Sequence, residues 1–147
     1  MWLRSSVGFG GLHFPSMPLF ETTPIDKPQI SKLVLEHWGL ELGACIKESQ
    51  NHTFLATRDE VKYIVRVTPD PAKKRRASME LELALLAYLR EHGLSVAAAV
   101  PASNQSLMLC DGDLCISVFA YASGEAVLYT DWRWLEEDYA RGVGRWF

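Results

Sequence analysis

The order in which hydrophobic periods succeed one another is what most restricts the folds open to this chain. A helical period comes first, then three short β-prone segments, a second helical period and two further β-prone segments. The first helix carries its own boundary signals. Asp26 can cap the leading amides, Pro28 suits the first turn, Ile30, Leu33, Val34 and Trp38 recur at helical spacing, and Gly39 supplies the stop. Ala44–Ile46, Thr53–Ala56 and Tyr63–Val67 follow as short strands separated by polar turns, the pattern of an antiparallel meander.

The second helical period runs from about Ser78 to Glu91. It places Leu81, Ala84, Leu85, Tyr88 and Leu89 on one face and ends at His92 and Gly93. Ser106–Leu109 and Leu114–Phe119 then form a hairpin through Asp111 and Gly112, a pair that tolerates the positive φ of a tight turn. Strands interrupted by a single helix specify an α+β layer, here a five-stranded antiparallel sheet with that helix packed on one face. A third helical period, Trp132, Leu135, Tyr139, Val143 and Trp146, reaches the last residues without a capping glycine. Its apolar face expects something further to pack against, either the remainder of a truncated domain or a partner, with self-association as one consequence.

Residues 1 to 24 show neither period and hold three glycines and three prolines, which predicts a flexible extension. The expected organisation is therefore an extension over 1–24, one packed lobe over 25–124, and a linker with the start of a helical region over 125–147. A hydrophobic fraction of 48% and a charged fraction of 22% suit one domain with a real core. The net charge of −3 supplies no basic field for nucleic acid, and no run approaches the roughly 18 apolar residues of a membrane span. Lys73–Arg76 is a short cationic run without interleaved aromatics, which reads as a solvated loop. Three cysteines in apolar or strand-like surroundings, Cys45, Cys110 and Cys115, predict reduced thiols and a cytoplasmic location. The Cys110 and Cys115 pair lacks neighbouring ligands to complete a metal site, so no metal ligand is expected.

Four features carry chemistry by their order along the chain. Glu48–Phe54 is a polar turn between strands whose amides and small side chains, Ser49 and Asn51 among them, could donate to phosphate oxygens or simply close a hairpin. On Lys62–Thr68, alternation sets Ile64 and Arg66 on one face and Tyr63, Val65 and Val67 on the other. Glu80 and Glu82 both lie in the following helix. Cys115–Gly124 ends a strand in small residues and a glycine.

Together these resemble the small lobe of the aminoglycoside/choline phosphotransferase family, which shares its fold with protein kinases. The resemblance covers about Gln29 to Gly124 and implies a protein-kinase-like N-terminal lobe that binds ATP, with magnesium in the complete enzyme. It implies that the Ser49 and Asn51 turn covers phosphates, Ile64 covers adenine, Arg66 holds the α and β phosphates, Glu82 pairs with Arg66, with Glu80 as the alternative, and the backbone of Ala120, Tyr121 and Ala122 reads adenine. Arg66 stands where the family usually carries lysine, and a planar guanidinium meets phosphate differently from a compact ammonium. The family's catalytic loop, a His followed by an Asp two residues on and an Asn five further, is not among the runs after His13, His37, His52 or His92. The resemblance therefore implies a nucleotide-binding part of a kinase acting on a small-molecule hydroxyl, inactive alone and with no catalytic residue of its own. A different class of reading is a non-catalytic module that docks a partner through Trp132, Tyr139 and Trp146.

Overall fold

The computed structural model describes residues 23–123. Apart from Thr23 and Pro24, the expected extension lies outside these residues, as does the expected helix with Trp132, Tyr139 and Trp146. The elements run α1 (Lys27–Trp38), β1 (Glu41–Glu48), β2 (His52–Arg58), β3 (Val61–Pro69), α2 (Arg76–Glu91), β4 (Ala99–Val100), β5 (Leu109–Asp111) and β6 (Leu114–Ala120). No described helix is long and apolar enough to cross a membrane.

Helix α1 forms as its boundary residues dictate. The Asp26 carboxylate accepts from the Gln29 amide, a proline stands in the first turn, and Gly39 closes the helix at φ 66°, a left-handed angle that costs glycine nothing. Its buried residues Ile30, Val34 and Trp38 recur at spacing four and form one stripe.

All strand pairs are antiparallel, in the order β1-β2-β3-β6-β4, and β5 also pairs with β6. The sheet thus has six strands where the sequence predicts five. The extra one, β4, is only two residues, too short to show any period. The strand expected at Ser106–Leu109 begins later, because the Ser106 hydroxyl bonds the Met108 carbonyl and folds that stretch into a turn.

Strand alternation divides the sheet into two faces. Phe54 faces Val65, Val65 faces Val118, and Val67 faces Ile116, giving one apolar surface against which the α1 stripe packs. Ile116, Val118, Val65 and Val67 lie there with no exposed surface. Trp38 anchors the layer at its edge, its indole N–H donating to the Val100 carbonyl at 2.9 Å. Thr53, Ile64, Arg66, Ser117 and Phe119 occupy the other face, in the register Thr53–Arg66–Ser117 and Ile64–Phe119.

Helix α2 serves this second face, but not through the expected residues. Met79 and Leu83 are its buried positions, whereas Leu81, Leu85 and Tyr88 are exposed. The periodicity of leucines therefore identified a helix and misassigned its packed side. Two further expectations change. The Cys110 and Cys115 sulfurs are in disulfide contact, since the two residues face each other across the β5–β6 hairpin with Cα atoms 4.2 Å apart. Cys45 is the free thiol. The basic run is not wholly solvated either. Buried Asp70 accepts from the amides of Lys74, Arg75 and Arg76 and so caps the start of α2, and Arg75 and Arg76 are half-buried.

Candidate functional site

A cavity of about 450 Å³ opens on the second face of the sheet, lined by Thr53, Ile64, Arg66, Glu82, Leu86, Ala97, Phe119, Ala120, Tyr121 and Ala122. That volume lies within the ordinary range for a small-molecule site. Strand alternation puts Ile64 and Arg66 on this face, the β3–β6 register brings Phe119 beside Ile64, and α2 contributes Glu82 and Leu86 from above. Ile64, Leu86, Ala97 and Phe119 make the lining largely apolar, and the polar groups gather at the Arg66 end.

Arg66 is held from two sides. Its Nη1 donates to Glu82 Oε1 at 2.8 Å and its Nη2 to Oε2 at 3.1 Å, a two-pronged pair. Its guanidinium also lies over the Phe119 ring, 5.0 Å from the centroid. The pair forms with Glu82 rather than Glu80, which lines a different, smaller depression with Leu83 and Met108. With the Glu82 side chain 46% exposed, solvent screens the attraction, and its contribution to stability is about 1 kcal/mol or less. What the pair does is orient a cation: two of the five guanidinium donors are committed, and the other three have no hydrogen-bond partner among the described residues.

The end of β6 supplies backbone groups. The Ala120 amide donates to the Ala98 carbonyl at 2.8 Å and is therefore spent. Beyond it, Tyr121 and Ala122 leave the strand, and their backbone groups make no hydrogen bond among the described residues. An edge of amides and carbonyls without partners among the described residues, beside an apolar slot, suits a flat heterocycle carrying both donors and acceptors.

Of the residues singled out from the sequence, the structure thus gathers Ile64, Arg66, Glu82, Ala120, Tyr121 and Ala122 around one cavity. Ser49 and Asn51 are not part of its lining. Instead they tie down the tip of the β1–β2 hairpin. The Ser49 amide donates to the Asn51 carbonyl at 3.0 Å, and the Asn51 side-chain oxygen accepts from Thr68 Oγ1 at 3.1 Å and from Arg75 Nη2 at 3.0 Å. Arg75 also reaches the Gln50 carbonyl, so one arginine joins this tip to the start of α2. Sequence reasoning missed Thr53, Leu86, Ala97 and Phe119 as lining. Thr53 and Phe119 follow from the β2–β3–β6 register, whereas Leu86 and Ala97 depend on where α2 docks.

No family model and no curated protein matches the chain by sequence. By structure it is similar to a spectinomycin phosphotransferase solved in complex with ADP and spectinomycin, with a TM-score of 0.50 at 13% identity, over 68% of this chain and 30% of that one. A microcompartment-associated aminopropanol kinase is a further structural neighbour, at TM-score 0.49 and 24% identity over 67% of this chain and 33% of that one. The chain spans about a third of the length of these solved proteins. Its fold is α+β and kinase-like, with an antiparallel six-stranded sheet.

Proposed function

We propose that this chain is the ATP-binding part of a phosphotransferase that phosphorylates a hydroxyl group of a small molecule. The observation that carries the reading is the Arg66–Glu82 pair set at one end of an apolar cavity that is also lined by Tyr121 and Ala122, whose backbone groups have no partner among the described residues. Support comes also from the fold, shared with a phosphotransferase that was solved with ADP. Adenine would lie between Ile64, Ala97 and Phe119, reading the backbone of Tyr121 and Ala122, and the α and β phosphates would meet the remaining donors of Arg66.

The residues present do not fit a magnesium site. Glu82 is the one acid among the residues lining the cavity, and both its oxygens serve Arg66. No histidine in the sequence opens a His-x-Asp run either, so nothing in this chain takes the acceptor's proton in the manner of this family. We therefore assign this chain nucleotide positioning, with base, metal ligands and acceptor site lying in the rest of a complete enzyme. Phosphoryl transfer draws its rate from positioning and charge neutralisation, and this chain supplies only part of the first.

Isothermal titration with ATP and magnesium tests the reading. The unmodified chain should give a weak binding heat that Arg66→Ala abolishes, and neither should release ADP from ATP. Absence of binding at millimolar ATP would remove the claim that these residues form a nucleotide site.

A further inference from the structure

On the opposite face of the hairpin from the cavity stand Cys45, Glu48 and His52. A His52 ring nitrogen, the Cys45 Sγ and a Glu48 carboxylate oxygen all lie within 4.8 Å of one another. A regular strand would send Cys45 and Glu48, three residues apart, to opposite faces. They share one here because β1 slips in register between Cys45 and Lys47, so that Cys45 faces Phe54 before the slip and Glu48 faces His52 after it.

His52 is only 4% exposed. One ring nitrogen, Nε2, lies 2.9 Å from the Thr23 carbonyl oxygen, which can only accept, so Nε2 carries a proton, and in the neutral ring Nδ1 then carries the lone pair. Among the described residues that buried Nδ1 has no hydrogen-bond partner. A buried acceptor without a donor is costly and calls for an explanation. An imidazole oriented by a backbone carbonyl, with its other nitrogen free, is also the arrangement that metal-ligating histidines adopt.

We propose that Cys45, Glu48 and His52 bind a zinc ion, His52 through Nδ1. Thiolate, imidazole and carboxylate together suit a borderline-soft divalent ion better than magnesium or calcium, which prefer oxygen. On binding, the Cys45 thiol loses its proton to solvent and Sγ becomes a ligand, so affinity rises with pH. Tetrahedral zinc sets its ligand atoms roughly 3.5 Å apart. Side-chain rotation draws the three groups inward and leaves a fourth position for water. The ion would clasp β1 to β2 just below the Ser49–Asn51 tip. This assignment stands independently of the nucleotide reading.

Cobalt(II) replaces zinc in such sites and reports a thiolate ligand through a charge-transfer band. The full chain carrying Cys110→Ser and Cys115→Ser, in which Cys45 is the sole cysteine, is titrated with cobalt and then with zinc. The expected result is a thiolate band with strong tetrahedral visible bands, abolished by zinc. Glu48→Gln, at an exposed position, and His52→Gln should each weaken binding by at least the roughly 10–100-fold that loss of a supporting group costs. Circular dichroism establishes that each variant is folded, and should His52→Gln not fold, Glu48→Gln decides. No thiolate band in the parent, or an unchanged titration in Glu48→Gln, overturns the proposal.

Discussion

Arg66 shows how a single residue can be legible in sequence yet acquire its meaning only from its neighbours. Alternation along β3 predicts that it shares a face with Ile64, and the structure places both at the cavity. Its partner is implied by resemblance alone, as Glu82 with Glu80 the alternative, since composition does not distinguish the two; the docking of α2 brings Glu82 Oε1 within 2.8 Å of the guanidinium. The pair is exposed enough to contribute little to folding, so stability and binding should separate. Glu82→Gln is expected to shift the free energy of unfolding by about 1 kcal/mol or less in urea. The same variant should weaken ATP binding by about tenfold, because a guanidinium that has lost its charged acceptor no longer points at the phosphates. A large loss of stability with unchanged ATP affinity would make the pair structural instead.

At the scale of elements, the β1–β2 hairpin departs furthest from a sequence reading. Periodicity marks two strands, but not the two register slips in β1, because a bulge leaves no compositional trace beyond an occasional glycine. Gly43 is that trace. It lies within the first slip, and a Cβ added there would stand 2.9 Å from the Leu55 backbone oxygen, which cannot rotate away. Gly43→Ala should therefore lower stability by about 1–3 kcal/mol, read as a lower denaturation midpoint with an unchanged slope. Helix α2 gives the complementary lesson. Its existence followed from its leucines, whereas its buried side, Met79 and Leu83, did not, since Leu81 and Leu85 are no less apolar. Apolar residues surround much of this helix, and the face that packs is decided by the sheet beneath it. The start of α2 rests on Asp70, a buried carboxylate six residues upstream that accepts from the Lys74 and Arg75 amides just before the helix and from the Arg76 amide that opens it; this too is a tertiary arrangement.

Taken whole, the described lobe is one sheet with two different faces. The first is dry and closed by α1. Ile116, fully buried at its centre, should cost about 2–5 kcal/mol when replaced by alanine, measured by chemical denaturation. The second face, shared with α2, is left open as a cavity, and it carries most of the residues that resemblance to kinase-like phosphotransferases singled out. The hairpin edge holds the Cys45, Glu48 and His52 cluster on the α1 side of the sheet. These residues are separated by only a few positions, and a metal motif could have been read from them, except that regular alternation would have sent Cys45 and Glu48 apart.

By itself, the sequence determined the two helices, most of the strands and the faces of β3. Capping residues bound α1, alternation sorts Ile64 and Arg66 from Val65 and Val67, and Gly112, at φ 55°, turns the β5–β6 hairpin. These are local consequences of backbone geometry, and a short stretch of chain suffices to specify them. Only the tertiary structure decided that Glu82 meets Arg66, that Asn51 is held by Thr68 and Arg75 away from the cavity lining, that Cys110 meets Cys115, and that Cys45 shares a face with His52. Each depends on register or helix docking, which are set by the packing of the whole sheet and not by any one segment.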